Sequence, residues 1–350
     1  MTDTGSIAWL GLDAHSQNCV LAHLDDDGTQ RRWWRFPTGA QALQKHVSAI
    51  AAPDKRLVLE ESNLARWISQ LLRPLVQQLV VSDPRHNRLI SAHPNKHDQR
   101  DAFNLARLFR LAEIKGVWQP QEDQRALFRS AAQAYEDAVL RQTPLKLQLK
   151  CLFQHWGLFP LGSAVYSGVG RQSWLKQLPQ EGLRAQALLL YALLDQALQS
   201  QSQARRLMVQ AGRAFPEIAR LRTVPGVGVI GSHLFVAYVA EPTRFTDFAQ
   251  LTRYCRLAIR DRSSDGKPLG FQQLDRQGHG VLKALSYRAW LQATKKKSGP
   301  IWEFFQASKK RTGSSTHARL NTQRKLLLTL WTLWLEGREF DPKEFSRTAT

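Results

Sequence analysis

Apolar residues run almost unbroken from residue 6 to residue 12, the pattern of a strand buried on both faces. A hairpin neighbour follows at 18–24, and a third strand at 31–36 carries apolar residues in alternation. The period then lengthens. Residues 39–50 repeat at helical spacing, 56–59 form a short apolar strand, and 65–75 return to a helix. Another strand is predicted at 78–81, closed by Asp83-Pro84, and 98–114 reads as a strongly amphipathic helix. Three early strands followed by β-α repeats predict a mixed sheet flanked by helices.

Beyond Gly116 the chain turns to Gln, Ala and Leu, with helical spacing from about 121 to 153. A stretch bearing Gly, Pro and Ser (157–170) interrupts it, and helix resumes over 183–212. Two long helices with a break read as a coiled-coil arm or, equally, as part of an ordinary helical bundle. From Pro216 onward the pattern is mostly helical, except for a polar, glycine-bearing stretch at 257–274 that reads as a loop. Residues 308–324 are basic and rich in Ser and Thr, and 325–335 are apolar and helical. A length of 350 residues suits two or three domains, drawn here as 1–117, 118–215 and 216–350.

Charge narrows the class of partner. Lys and Arg number 49 against 29 Asp and Glu, a net +20. So large a surplus repels itself unless a polyanion shares the surface, and nucleic acid is the commonest one. No apolar run approaches the roughly 20 residues of a membrane span, so a membrane partner is not expected. The polar, acidic stretch from Met1 to Gly5 reads as neither a signal nor a transit peptide. Cys19, Cys151 and Cys255 form no CxxC pair, which speaks against zinc and disulfides and for a reducing cytoplasm. The 11 tryptophans exceed what a core of this size asks for, leaving some to stack on bases.

Four acids stand out in this basic chain. Asp13 closes the first strand, Glu60 closes another in Leu59-Glu60-Glu61-Ser62, and Asp98 and Asp101 open a helix, sharing one face. Each has an ordinary reading: Asp98 as a helix cap, Asp101 as a first-turn acid, Glu60 and Glu61 as solvated strand-end charges. Gathered together they would repel one another unless divalent cations neutralised them, and Mg²⁺ or Mn²⁺ favours such oxygen ligands. Two such ions activate a nucleophile and stabilise the leaving oxygen at a phosphodiester. His15, His93 and His97 have no metal-ligand spacing, and His15 reads as structural or as a neighbour supporting Asp13.

A second constellation lies at Arg260-Asp261-Arg262-Ser263-Ser264-Asp265-Gly266-Lys267. A serine attacking a phosphodiester must lose its proton while cations offset the phosphate charge, a part open to Arg262 and Lys267. The plain alternative is a solvated polar loop. Pro225, Gly226 and Gly228 form a turn between helical segments, where glycines let backbone N–H groups approach a phosphate, or where they simply turn the chain. Arg31-Arg32 beside Trp33-Trp34, Lys295-Lys296-Lys297 and Lys309-Lys310-Arg311 are candidate phosphate contacts or solvated faces.

These residues resemble a known family. Gly11-Leu12-Asp13-Ala14-His15, Leu59-Glu60-Glu61-Ser62 and Lys96-His97-Asp98-Gln99-Arg100-Asp101-Ala102 are similar to the Asp-Glu-Asp-Asp signature of a group of insertion-sequence transposases. Its members include Piv-like DNA invertases and recombinases guided by a bridge RNA. Leu221-Arg222-Thr223-Val224-Pro225-Gly226-Val227-Gly228 resembles the family's Pro-Gly-hydrophobic-Gly segment. Phe245-Thr246-Asp247-Phe248, with Leu251, Tyr254 and Leu257, resembles the family's next segment towards the C-terminus. Two departures stand: Glu61 replaces a small residue, leaving Glu60 against Glu61 open, and Arg256-Leu257-Ala258-Ile259 replaces Gly-Leu-x-Pro.

The resemblance implies an α/β RuvC-like domain, a helical coiled-coil middle and a mostly α C-terminal domain with a helix-hairpin-helix-like turn. It implies Asp13, Glu60, Asp98 and Asp101 as ligands of Mg²⁺ or Mn²⁺, and Ser264 (Ser263 in second place) as a nucleophile forming a covalent phosphoserine. The implied partners are donor and target DNA, a non-coding guide RNA, and further copies of the chain as a homodimer or homotetramer. Two rivals are a metal-dependent junction-resolving nuclease in which water attacks, and a non-catalytic nucleic-acid-binding scaffold.

Overall fold

Ile7–Ala14 (β1) is the strand on which the first sheet is built, with five of its eight residues buried. The computed structural model describes residues 7–84, 97–120, 123–260, 263–264, 267–268 and 273–347, the backbone alone at 263–264, 267–268 and 346–347. They fall into two compact units, Met1–Gln119 and Pro120–Thr350.

In the first unit β1 pairs antiparallel with Asn18–Leu24 (β2), which pairs antiparallel with Gln30–Pro37 (β3). On its other side β1 runs parallel to Asp54–Glu60 (β4), and β4 runs parallel to Gln78–Ser82 (β5). The order is β3-β2-β1-β4-β5. Alternation along the strands builds two apolar layers. Leu10, Leu12, Leu57 and Leu59 pack with Leu43 and Val47 of helix Ala40–Ser48 (α1) and Ile68 and Leu72 of Ala65–Leu72 (α2). Trp9, Val20, Ala22, Leu24 and Val58 face the other way, onto Asp98–Arg110 (α3), through Ala102, Phe103, Leu105, Ala106 and Phe109. The predicted mixed sheet with flanking helices is present. Helix α3 stops short of residue 114, where Ala112 turns the chain out of the helix at φ 56°.

The second unit is mostly helical. Asp123–His155 (α4) and Glu181–Gly212 (α6) are 33 and 32 residues long, and Gly168–Gln177 (α5) lies between them in sequence. Leu149 and Phe153, late in α4, share a cluster with Leu183, Ala187, Tyr191 and Leu194, early in α6. Phe128, Ala132 and Tyr135, early in α4, share the main core with Ala204 and Met208, late in α6. The two helices are therefore antiparallel. That core continues through Glu217–Leu221 (α7), Gly228–Val239 (α8), Phe248–Tyr254 (α9), Gly280–Thr294 (α10), Pro300–Thr312 (α11), Ser315–Glu336 (α12) and Pro342–Arg347 (α13). Helix α8 is its hub, with Ser232 through Val239 all buried.

Three segments gain detail beyond the pattern reading. The break at 157–170 holds a 3₁₀ turn and the start of α5, capped by Ser167, which accepts a hydrogen bond from the Gly170 N–H. The basic stretch at 308–324 is helix on both sides of Gly313, whose φ of 65° ends α11. Within 257–274 are short strands, Ile259–Arg260 (β6), Ser263–Ser264 (β7), Lys267–Pro268 (β8) and Gln273–Leu274 (β9), pairing β6 with β9 and β7 with β8.

Arg125 pins this unit. Its Nη1 donates to Glu217 Oε1 at 3.2 Å and to the Ala240 carbonyl at 2.6 Å, and its guanidinium lies 4.8 Å from the Phe215 ring centre. The pair is nearly dry, 17% and 8% exposed. Arg125→Ala strands the Glu217 carboxylate and is expected to cost about 3–5 kcal/mol, visible as a lowered denaturant midpoint.

Candidate functional site

Strand alternation decides which acids can meet. Trp9, Gly11 and Asp13 share the α3 face of β1, as Val58 and Glu60 share that face of β4. Leu12 is in register with Leu59, so Asp13 and Glu60 hold the next positions, at the carboxyl ends of neighbouring parallel strands. Glu61 comes after the strand and its N–H bonds the Ser82 carbonyl at 2.9 Å.

Helix α3 supplies the other two acids. A Cβ on Gly11 would stand 2.0 Å from the Ala102 carbonyl oxygen and 2.8 Å from the Ala106 nitrogen. Glycine in the strand and alanines in the helix therefore let the two backbones touch, which brings the first turn of α3 over Asp13. Asp98 and Asp101 lie in that turn, where the helix dipole favours negative charge.

Ligand atoms of Asp13, His15 and Asp98 all lie within 4.8 Å of one another. His15 Nε2 is 3.2 Å from Asp13 Oδ2, and Arg35 Nη2 is 3.9 Å from Asp98 Oδ2. Burial raises the Asp13 pKa; His15 opposes the shift, while Asp98 and, more weakly, Asp101 add to it. Of the four predicted acids the fold thus gathers Asp13 and Asp98, keeps Asp101 within electrostatic reach, and sets Glu60 on the same face at the adjoining strand end. Glu60 does not belong to the group with ligand atoms inside 4.8 Å. The part-buried carboxylates of Asp13 and Asp98, with the exposed His15 imidazole beside them, suit a hard divalent cation.

The serine and turn segments belong to the second unit. Ser264 pairs with Lys267 across the β7–β8 hairpin. Arg262 lies outside the described residues, as do Asp265 and Gly266. The base of the β6–β9 ribbon is tied down: Arg256, at φ 57°, donates Nε to the Gly278 carbonyl at 2.7 Å, and the Asp275 N–H bonds the Ala258 carbonyl at 2.8 Å. Arg324 Nε donates to the Leu257 carbonyl at 2.9 Å.

In the turn after Pro225, Gly226 adopts φ 85°, and a Cβ there would meet the Ala289 carbonyl oxygen at 2.1 Å. Its close approach is to helix α10 rather than to solvent. Gly228, at φ 60°, opens α8 with nothing within 4 Å of its Cβ position. Gly226 also lies close to Ala293 of α10, two residues before the exposed run Lys295, Lys296 and Lys297.

Residues 10–156 match a family model described as Transposase, the DEDD transposase of IS110, and residues 218–306 match one described as Transposase IS116/IS110/IS902 family. The chain carries both transposase domains of the IS110 family. A curated relative, "Putative transposase y4qE" of Sinorhizobium fredii (strain NBRC 101917 / NGR234), is 24% identical over 271 residues. That match takes in 73% of this chain and 64% of the relative, so the chain spans less than two thirds of the relative's length.

The first IS110 match contains Asp13, Glu60, Asp98 and Asp101, and the second contains the Pro225–Gly228 turn and Ser264. Among the described residues of this IS110-type chain, no helix is long and apolar enough to cross a membrane. Two residues beside the acids stand out less in the sequence than in the fold. His15 comes two after Asp13 in an extended segment, which puts both side chains on one face. Arg35 meets Asp98 only through the sheet, and no local signal marks it.

Proposed function

We propose that the protein is a metal-dependent DNA transposase that cuts and rejoins strands through a covalent phosphoserine. The observation that carries this reading is the convergence of Asp13 and Asp98 where the first turn of α3 meets the end of β1. Asp13, Glu60, Asp98 and Asp101 would hold Mg²⁺ or Mn²⁺, which when bound offsets charge on the reacting phosphate and its leaving oxygen. The sheet order β3-β2-β1-β4-β5, with acids at the ends of β1 and β4 and on the covering helix, supports a RuvC-like domain.

The Ser264 hydroxyl attacks the phosphorus and yields its proton to a carboxylate, and the bond to the departing DNA oxygen breaks as that oxygen takes up a proton and leaves as a hydroxyl. A hydroxyl of a second DNA end then attacks the phosphoserine and releases the serine, so the number of phosphodiester bonds is unchanged. Acids and serine belong to different units, and the reaction draws on both, from one chain or from two copies. The open N-terminus of α8 at Gly228, with Lys295, Lys296 and Lys297 beyond Ala293, is the proposed grip on DNA phosphates, assisted by Lys267 and Arg262. Leu188, Leu189 and Leu193 of α6, 53%, 63% and 41% exposed, support assembly as a homodimer or homotetramer through a coiled-coil arm spanning 118–215. A non-coding guide RNA is proposed from the family resemblance, with base pairing choosing the target sequence.

Covalent trapping tests the chemistry. Protein, flanking non-coding RNA, Mg²⁺ and labelled DNA, denatured and run on a gel, should give a DNA–protein adduct absent from Ser264→Ala. Free nicked DNA, undiminished in Ser264→Ala, would mean that water attacks and that the protein is a metal-dependent nuclease.

A further inference from the structure

We propose that the exposed edge strand β3 is a track for single-stranded DNA, with a base stacked on Trp33 and phosphates on Arg31 and Arg35, leading to the Asp13–Asp98 cluster. Among the described residues, strand β3 is the last of its sheet and pairs only with β2. Arg35 is in register with Val20 and Trp33 with Ala22, so both stand on the face that carries Asp13, Glu60 and α3. A register shift between His23 and Leu24 leaves Arg31 without a partner position in the ladder, as the extra residue of a β-bulge.

The neighbouring side chains sort by face. Trp34 turns to the α1 side, where the Arg32 guanidinium lies 5.3 Å from its ring and His46 6.4 Å. Among the described residues Trp33 has no ring or cation stacked on it, and it is 42% exposed. Arg31 and Arg35 are 68% and 59% exposed; Arg31 reaches Asp25 at 3.3 Å, and Arg35 reaches Asp98 at 3.9 Å. Cations on an edge strand are commonly a guard against pairing with other chains. An exposed indole between them adds nothing to that guard. It is what a stacking platform requires, since every base has a π-face and Arg31 and Arg35 lie two positions to either side of it in sequence.

Spacing agrees. On the regular part of β3, from Trp33 to Arg35, alternate residues stand roughly 6.6–6.8 Å apart, the scale of one nucleotide step in a stretched strand. The Arg35–Asp98 contact makes the track continuous with the acids, so a phosphate leaving Arg35 is already beside them. A duplex would need a wider surface than one strand edge beside a helix. This inference rests on the acid cluster being the DNA-cutting site, and that continuity selects DNA over RNA.

Binding can be measured without cutting. In EDTA, fluorescence anisotropy of a short labelled oligothymidylate with the full chain should show Trp33→Ala weakened about 5- to 100-fold, with Trp33→Phe recovering most of the loss. Arg35→Ala should flatten the dependence of log affinity on log salt by about 0.7, one phosphate's share for a single strand. An iodouracil-substituted strand should photo-crosslink to the peptide containing Trp33. Unchanged affinity in Trp33→Ala with an intact thermal melt, crosslinks only elsewhere, or binding to duplex or RNA alone would each overturn the proposal. Failure of the proposed chemistry would appear instead as a missing adduct in Mg²⁺ while this metal-free binding persists.

Discussion

Gly11→Ala is expected to lower the melting temperature of the first unit by about 10 °C, through a loss of about 3 kcal/mol. The added methyl group would sit 2.0 Å from the Ala102 carbonyl oxygen and 2.8 Å from the Ala106 nitrogen. Both are backbone atoms of α3, so neither can swing aside as a long side chain would. The helix must lift, and the contacts of Ala102, Phe103 and Ala106 with the sheet loosen together. Replacing glycine also restricts the unfolded chain, a gain of about 0.4–1 kcal/mol that is too small to reverse the sign. Lifting α3 carries Asp98 and Asp101 away from Asp13, so metal binding should weaken along with stability. Calorimetry with and without Mn²⁺ reads both effects, and an unaltered melt would show that α3 does not depend on this contact for its seat.

Asp13→Asn should be more stable than the wild type without metal and less stable than the wild type with it. Burial holds the Asp13 pKa above its ordinary value, with His15 pulling against the shift and Asp98 and Asp101 adding to it. The unfolded chain therefore releases this proton at lower pH than the folded one. Stability falls as pH rises from the ordinary carboxylate value to the raised one, and above that the penalty stays constant. In EDTA at neutral pH, Asp13→Asn escapes the penalty and should melt higher than the wild type; at acid pH below both values the two should coincide. Metal at about 100 times its Kd adds about 2.7 kcal/mol to the wild type and little to the variant. Strand cutting should fall by more than the roughly 10–100-fold expected for losing a group that only orients a metal ligand. A variant that melts lower than the wild type in EDTA and still gains from metal would place the binding site elsewhere.

Much of the first sheet is legible as pattern. The strand at 18–24 has the same limits in sequence and structure because both its faces are covered and its apolar run is sharply bounded. Helix α3 is shorter than its pattern because residues 111–114 keep the apolar period that Ala112 breaks by its backbone alone. The strands within 257–274 leave no trace in the pattern since two-residue ladders carry no period. Within 308–324 the helical pattern holds, and the break at Gly313 rests on its φ of 65°, which composition alone does not announce.

At the candidate site, the sequence supplies the acids but not their meeting. Asp13 and Glu60 follow from strand ends, and counting by twos from Val58 separates Glu60 from Glu61 once the register is known. Arg35 against Asp98 joins residues 63 positions apart across a sheet edge, and only the antiparallel order of β2 and β3 brings them together.

The antiparallel course of α4 and α6 also bears on how such chains can vary. Their far ends meet in a cluster of their own, around Phe153 and Tyr191, separate from the main core that holds Phe128 and Met208. The two family matches stop at residue 156 and resume at 218, leaving the tip and all of α6 between them. Equal insertions in both helices would lengthen the pair by about 1.5 Å per residue and leave the two clusters as they are. The reach of this pair can therefore change while the packing at each of its ends is kept.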